Sequence, residues 1–124
     1  MMCYITVQLG NSIPGLRFSP DGAHLLIADK RNNRLSLFGI DGKFVRLVGE
    51  GVVQGIEDVA FASNGDIIAL DCWHRRVCKF SGDGSVLLST FGGPEQFLSP
   101  VAMATTLEYL FIVDERSNRV KIFV

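Results

Sequence analysis

Three aspartates are each followed, five positions later, by an arginine, and this spacing is the first sign of chemistry in the sequence. The pairs are Asp29 with Arg34, Asp71 with Arg76, and Asp114 with Arg119. A carboxylate and a guanidinium group so placed can act in catalysis, hold a cation or form an ion pair. Because the pair recurs three times with the same local partner, we interpret it as structural. The carboxylate is expected to accept loop N–H groups and to face the arginine across a hairpin.

Residues suited to binding lie between the members of these pairs. The position two after each aspartate holds Arg31, Trp73 or Arg116, and His74 and Arg75 follow Trp73. Tryptophan and arginine are enriched at binding hot spots, and a tryptophan ring can also stack on an unpaired base. These five residues are therefore the predicted binding set. The alternative for Trp73 is that its ring folds down and covers apolar surface of the surrounding sheets.

Groups for catalysis and metal binding are sparse. The two histidines, His24 and His74, are predicted on opposite faces of the molecule. The sequence contains no Gly-x-Ser-x-Gly motif and no cluster of residues with metal-ligand spacing. We therefore predict no catalytic residue, no metal and no cofactor.

The three cysteines, Cys3, Cys72 and Cys78, are an odd number and show no paired spacing. We expect reduced thiols, and hence a cytoplasmic location, because disulfides are rare in reducing compartments. The sequence leaves the reactivity of Cys72 open. Its neighbours His74 and Arg75 are cationic groups of the kind that lower the pKa of a thiol.

The aspartate–arginine pairs are landmarks of a repeat. The aspartates are 42 and then 43 residues apart, and so are Phe38, Phe80 and Phe123. Turn-forming dipeptides keep the same phase, Asp21-Gly22 with Asn64-Gly65 and Asp41-Gly42 with Asp83-Gly84. A repeat of about 40–45 residues built from short strands is typical of β-propeller blades.

Each repeat is predicted to form four antiparallel strands, because its apolar runs are short, rich in β-branched and aromatic residues, and bounded by turn signals. The predicted blades are 15–48, 56–91 and 100–123, the last without its fourth strand, and residues 4–9 match a fourth strand. The second strand of each blade is apolar on both faces, which predicts sheets covered on both sides. The predicted fold class is all-β, with three propeller blades in one domain spanning 1–124.

The repeat resembles the NHL repeat, in which an apolar strand ending in Asp is followed by Asn-x-Arg, a strand ending in Phe, Asp-Gly and Phe-Gly. Asp29 with 32–34 fits this pattern closely, and Asp114 with 117–119 fits it well, whereas His74 replaces the asparagine in the second repeat. The resemblance covers nearly the whole chain and implies a propeller of about five or six blades. It implies no single function, because the family includes RNA-binding and protein-binding propellers as well as lyases and hydrolases.

Three blades are too few to close a ring by themselves. We predict a homodimer in which two copies, placed head to tail about a two-fold axis, form a six-bladed ring. Residues 4–9 of each copy would complete the third blade of the other. The alternative is that the chain is a segment of a longer polypeptide, which supplies the other blades.

Charge and composition narrow the functions. The formal net charge of -1 gives no overall attraction to nucleic acid, and no apolar run is long enough to cross a bilayer. We predict a protein- or peptide-binding scaffold module that uses its loops and has no membrane partner. The alternative is single-stranded RNA binding by the same loops, which the neighbouring glutamates at 50, 57, 95 and 115 oppose. An enzyme, either a lyase or a hydrolase, is the least favoured interpretation.

Overall fold

The computed structural model describes residues 15–123, which form eleven strands in three antiparallel sheets. The first sheet contains β1 (Gly15–Phe18), β2 (His24–Asp29), β3 (Arg34–Gly39) and β4 (Phe44–Val48). The second contains β5 (Ile56–Phe61), β6 (Ile67–Asp71), β7 (Arg76–Phe80) and β8 (Leu87–Gly92). The third contains β9 (Pro100–Thr105), β10 (Leu110–Asp114) and β11 (Arg119–Phe123). Two 3-10 helices, Lys30–Asn32 and Glu115–Ser117, lie in the β2–β3 and β10–β11 loops.

Each strand pairs with its neighbour in the chain, so every sheet is a simple up-and-down meander. The predicted all-β architecture is confirmed. Within the described residues the third sheet has three strands, and β11 lies at its outer edge. The further strand predicted at residues 4–9 lies outside the described residues. No helix within 15–123 is long and apolar enough to span a bilayer.

The hairpins turn where short polar side chains satisfy the turning backbone. In the β1–β2 turn the hydroxyl of Ser19 donates to Asp21 Oδ1 over 2.6 Å, and Gly22 adopts a φ of 73°. A positive φ is easily reached only by glycine, which explains the Asp-Gly signal. The β9–β10 turn has no such dipeptide, and there Thr106 Oγ1 accepts the backbone N–H of Tyr109 over 3.1 Å. A threonine hydroxyl thus replaces the aspartate in the third hairpin.

The core consists of two apolar layers between neighbouring sheets. Alternate residues of a strand point to opposite faces, so one strand can contribute to both layers. The layer between the first and second sheets contains Leu26, Leu35, Leu37, Val59, Ile67 and Phe80. The layer between the second and third sheets contains Ile68, Leu70, Val77, Phe97, Leu110 and Ile112. All five residues of β6 are buried, because this strand belongs to the sheet that is covered on both faces.

The first strands of the three sheets lie next to one another. Arg17 on β1 forms an ion pair with Asp58 on β5, with Nη2 and Oδ1 3.1 Å apart. The other carboxylate oxygen of Asp58 accepts the backbone N–H of Met103 on β9 over 2.9 Å. Asp58 therefore joins β1, β5 and β9, and the three sheets fan out from this inner row of strands.

Candidate binding face

The loops that carry the predicted binding residues meet at one end of the sheets. The backbone N–H of Gly55, before β5, donates to Asn33 Oδ1 in the β2–β3 loop over 2.7 Å. The carbonyl of Gly55 accepts the N–H of Cys72 in the β6–β7 loop over 3.2 Å. Glu115, in the β10–β11 loop, donates its N–H to the carbonyl of Ser99 over 3.0 Å. We call this end, formed by residues 30–33, 49–55, 72–75, 93–99 and 115–118, the loop face.

Asp71 anchors the centre of the loop face. Its carboxylate is fully buried and accepts the N–H of Gln54 at Oδ1 over 3.0 Å. At Oδ2 it binds Nδ1 of His74 over 2.9 Å and Nε of Arg76 over 2.8 Å. This hydrogen bond to Asp71 raises the pKa of the Arg76 guanidinium. Arg76 also donates to the carbonyl of Val52 over 2.9 Å, so two residues of β6 and β7 hold the β4–β5 loop in place.

Asp114 occupies the equivalent position in the third sheet, but it does not bind the predicted arginine. Arg119 is its register partner, yet the side chain within ion-pair distance is Lys121, whose Nζ lies 3.3 Å from Asp114 Oδ2. Lys121 lies on the same face of β11 as Arg119, two residues further on. Its Nζ also lies 5.1 Å from the centre of the Phe97 ring and donates to the carbonyl of Gln96. Lys121 thus takes the place at the Asp114 carboxylate that was expected for Arg119, which faces Asp114 as its register partner.

The carboxylate of Asp114 is also held by the chain that precedes β9. The N–H of Ser99 donates to Oδ1 over 2.6 Å, and the N–H of Leu98 donates to Oδ2 over 3.1 Å. Burial by itself would raise the pKa of the Asp114 carboxyl, but these donors, with Ser117 and Lys121, outweigh it and hold the pKa below its ordinary value. A buried carboxylate thus fixes the β8–β9 loop as Asp71 fixes the β4–β5 loop.

Asp29 is the third member of the series. Its Oδ2 accepts the side-chain amide of Asn32 over 2.7 Å and lies 3.5 Å from Nε of Arg34. Its Oδ1 is buried and has no hydrogen-bond partner among the described residues. Asn32 and His74 occupy the same position in their repeats, and each donates an N–H hydrogen bond to the aspartate of its own repeat. The histidine in the second repeat therefore replaces the asparagine in its structural contact.

Trp73 is the exposed aromatic residue among the predicted binding residues. Its side chain is 72% exposed, so it does not cover the apolar surface of a sheet. Its backbone N–H donates to the carbonyl of Gln54 over 3.2 Å. The indole lies directly on Gly55, where a Cβ atom would come within 2.0 Å of Trp73 Cδ1. The ring is thus presented to solvent on a loop that two hydrogen-bonded segments support.

The other predicted binding residues differ in position. His74 is half exposed, and its Nδ1 is held by Asp71. Arg75 is partly buried and adopts a φ of 52°, a left-handed conformation that Asn33 and Asn118 adopt at the equivalent positions. Arg116 is exposed within the 3-10 helix Glu115–Ser117. Arg31 lies in the 3-10 helix Lys30–Asn32, and its side chain is outside the described part of the structure.

Cys72 does not have the properties of a reactive thiol. Burial raises its pKa to about 12, and the negative charges of Glu57 and Asp71 act in the same direction. Its Sγ lies 2.7 Å from the carbonyl oxygen of Pro100, which the thiol contacts as a donor. The cationic neighbours seen in the sequence therefore do not lower its pKa. Among residues 15–123, no group of three or more His, Cys, Asp and Glu side chains is arranged to hold a metal ion.

Sequence reasoning missed the part played by the loops between the sheets. Phe97, in the β8–β9 loop, is fully buried and packs 5.9 Å from the ring of Phe123. Gly92 makes room for it, since a Cβ atom there would lie 2.5 Å from the Phe97 ring. The only signal in the sequence was the Gly92-Gly93 pair, which suggested a mobile loop as readily as a packed one.

Comparison with known proteins identifies the fold. No model of a protein family matches the sequence, and no curated protein sequence matches it. A similar solved structure is the selenomethionine-substituted virginiamycin B lyase from Staphylococcus aureus, a β-propeller, with a TM-score of 0.70 and 18% sequence identity. The alignment covers 96% of this chain and 43% of the lyase chain. The three sheets are therefore β-propeller blades, and the chain spans less than half the length of this neighbour.

Proposed function

We propose that the chain is a protein- or peptide-binding scaffold module of the NHL-repeat type and that it binds its partner with the loop face. The observation that carries the proposal is the exposure of Trp73 at the centre of that face. Large aromatic side chains that stand exposed on a fixed support are the residues most enriched at binding hot spots. The likeness to a propeller is consistent with such a role, since propeller loops vary freely on a rigid framework.

The support beneath Trp73 is rigid before a partner arrives. Asp71 holds the β6–β7 and β4–β5 loops together through three hydrogen-bonding groups, and Trp73 itself is hydrogen-bonded to Gln54. A preformed surface loses less conformational entropy on binding than a mobile loop does. The hydrogen-bonded support therefore favours a role for Trp73 in anchoring a partner.

The charges around Trp73 favour a polypeptide over a nucleic acid. The loop face carries Lys30, Arg31, Arg75 and Arg116, and these are matched in number by the glutamates of the face and its border, Glu50, Glu57, Glu95 and Glu115. A phosphate backbone needs a surface of net positive charge, which this mixture does not provide. A peptide with both apolar and charged side chains suits it better. The experiment must therefore distinguish peptide binding from the alternative, which is binding of single-stranded RNA.

The decisive experiment compares Trp73→Ala with Leu107→Ala on the purified chain. Leu107 is a matched control, because it is 86% exposed and lies in the β9–β10 turn at the opposite end of the sheets. Peptides selected from a random display library on the wild-type chain would be titrated against both variants. We expect Trp73→Ala to weaken binding by about tenfold or more and Leu107→Ala to leave it unchanged.

Two results would contradict the proposal. One is a set of selected peptides whose affinity is the same for wild type and Trp73→Ala. The other is tight binding of a fluorescent oligouridine that weakens steeply with salt and is lost in Trp73→Ala, because this is the behaviour of an RNA-binding surface. Circular dichroism of each variant confirms that the fold is kept.

The finer assignments rest on separate observations. The NHL type is supported by the repeated Asp and Asn-x-Arg pattern, in which Asn32 and His74 make the same contact with their aspartates. A cytoplasmic location is supported by the free thiols of Cys72 and Cys78. The lyase activity named for the neighbour belongs to a chain 18% identical to this one, which makes catalysis the weaker proposal here.

A further inference from the structure

The stack of three sheets ends on one side with an exposed apolar face. On β10 the alternate residues Leu110 and Ile112 pack against the second sheet. Phe111 and Val113 of β10, with their register partners Ile122 and Val120 on β11, therefore point away from that sheet. Val120 is 57% exposed and Ile122 is 59% exposed. We call this surface the third-blade end face, and it consists of Ala102, Ala104, Phe111, Val113, Val120 and Ile122.

The first sheet ends the stack on the other side with a second apolar face. Leu26 and Leu37 pack against the second sheet, so their strand neighbours point outwards. In the centre of this face Leu25, Ile27 and Phe38 form a small buried cluster. The first-blade end face consists of this cluster with its directly paired neighbours Leu16, Phe18 and Phe44, which are 49%, 59% and 56% exposed. The residues named on the two end faces are uncharged, and the Asp29–Arg34 pair lies at the loop end of the first-blade side.

The two end faces are the two halves of an interface that the chain already makes. The repeat relates Phe111, Val113 and Val120 to Ile68, Leu70 and Val77 of the second sheet. Those residues are buried against Leu110 and Ile112 of the third sheet. Leu110 and Ile112 are in turn related by the repeat to Leu25 and Ile27 of the first-blade end face. Each exposed face thus repeats one side of the packed contact between the second and third blades.

We infer that the third-blade end face of one copy of this chain packs on the first-blade end face of a second copy. Two such contacts about a two-fold axis would close a six-bladed ring and leave neither apolar face in water. The blades have the curvature of a propeller, yet the chain covers 43% of the propeller it resembles. A second copy of the same extent would supply about three quarters of the part of that propeller that one chain leaves uncovered. This inference does not depend on the proposed peptide binding.

The test is the solution mass of the reduced chain, measured by light scattering during size-exclusion chromatography. We expect twice 13.6 kDa for the wild type. Val120→Glu, on one end face, and Phe18→Glu, on the other, should each give a folded monomer or an association at least about 100-fold weaker, because a buried charge opposes packing. Val86→Glu is the matched control, since Val86 is 52% exposed in the β7–β8 turn, away from both end faces.

A second measurement keeps the inference falsifiable if a variant fails to fold. Cross-linking with isotopically mixed wild-type copies should join residues bordering opposite end faces in mixed-isotope pairs. A folded wild-type monomer would overturn the inference and favour a longer polypeptide that supplies further blades. A mass other than two copies, or a dimer that Val86→Glu weakens as much as Val120→Glu, would overturn it as well.

Discussion

The Trp73 ring can lie directly against the backbone because the residue beneath it has no side chain. Gly55 has a φ of 62°, and its Cα approaches the indole so closely that a methyl group would overlap the ring. A tryptophan in this position buries little of its own surface and gains little from burial. Its location is instead imposed by two backbone hydrogen bonds, from the N–H of Cys72 to the carbonyl of Gly55 and from the N–H of Trp73 itself to the carbonyl of Gln54. The chemistry of this site therefore depends on residues that would not themselves contact a partner.

Gly55→Ala should displace Trp73 and destabilise the chain. The overlap with Trp73 Cδ1 at 2.0 Å adds to the strain of a left-handed alanine, and we expect a loss of about 2–4 kcal/mol in unfolding free energy. Gly51→Ala is the control, because Gly51 has a φ of 78° and open space around it, so only the strain of about 1 kcal/mol applies. Trp73 is the single tryptophan, so its fluorescence reports its displacement directly. Equal effects of the two variants would contradict the contact.

Arg75→Asn should stabilise the chain. Arg75 has a φ of 52°, and the two equivalent positions in the other repeats are asparagines with almost the same φ. Asparagine adopts this left-handed conformation more readily than arginine does, so we expect a gain of about 0.5–1 kcal/mol in urea unfolding. Arg116→Asn, in an exposed turn of ordinary conformation, should change stability by less than about 0.5 kcal/mol. A loss of stability in Arg75→Asn would show that the arginine makes compensating contacts.

At the scale of the secondary-structure elements, the aspartates that end the second strands of the second and third sheets join elements distant in the chain. Asp71 and Asp114 bind backbone N–H groups 17 and 15–16 residues earlier, in the loop that enters the same blade. A buried carboxylate is tolerated here because each oxygen has donors. The loop face is therefore a set of clamped connections, and its shape depends on carboxylates that lie beneath the surface.

Asp114→Asn should lower stability at neutral pH and have less effect in acid. The amide places a donor against the N–H groups of Leu98 and Ser99, which we expect to cost about 1–3 kcal/mol. The pKa of Asp114 in the folded chain lies below its ordinary value of 3.8, so its contribution is complete above that pH and is lost as pH falls through the folded pKa. Urea unfolding from neutral pH to below pH 3.8 measures this, with the exposed neighbour Glu115→Gln as control. A difference in unfolding free energy between wild type and Asp114→Asn that stays constant with pH would contradict this prediction.

At the scale of the whole molecule, residues 15–123 form one blade that is enclosed on both sides and two that each have a free face. The second sheet is covered on both sides, and its strand β6 is entirely buried. The first and third sheets each present to solvent the kind of surface that the second sheet buries. Repeat proteins need their neighbours for stability, and terminal repeats normally carry a polar outer face. The exposed apolar side chains on both end faces are why we expect Val120→Glu and Phe18→Glu to alter the association of the chain.

The aspartate–arginine pairs show where reasoning from the sequence stops. The register that places an aspartate opposite an arginine follows from hairpin length, and all three pairs are register partners in the sheets. Which cation binds the carboxylate does not follow from it, because Arg119 and Lys121 lie on the same face of β11 and only packing against Phe97 selects the lysine. The position of the Trp73 ring was equally undetermined, since the ring rests on a glycine 18 positions earlier in the chain.

The amino-acid sequence by itself determined the strands, their order, the hairpins and the propeller class, because these depend on local signals that recur every 42 or 43 residues. These signals are Asp-Gly and Asn-Gly turns and short apolar runs. They act over a few residues and do not depend on contacts between distant parts of the chain. Only the tertiary structure decided which loops the buried aspartates clamp, why Cys72 has a raised pKa and which apolar residues stay exposed. These properties arise where segments far apart in the chain meet, and a one-dimensional pattern does not contain that geometry.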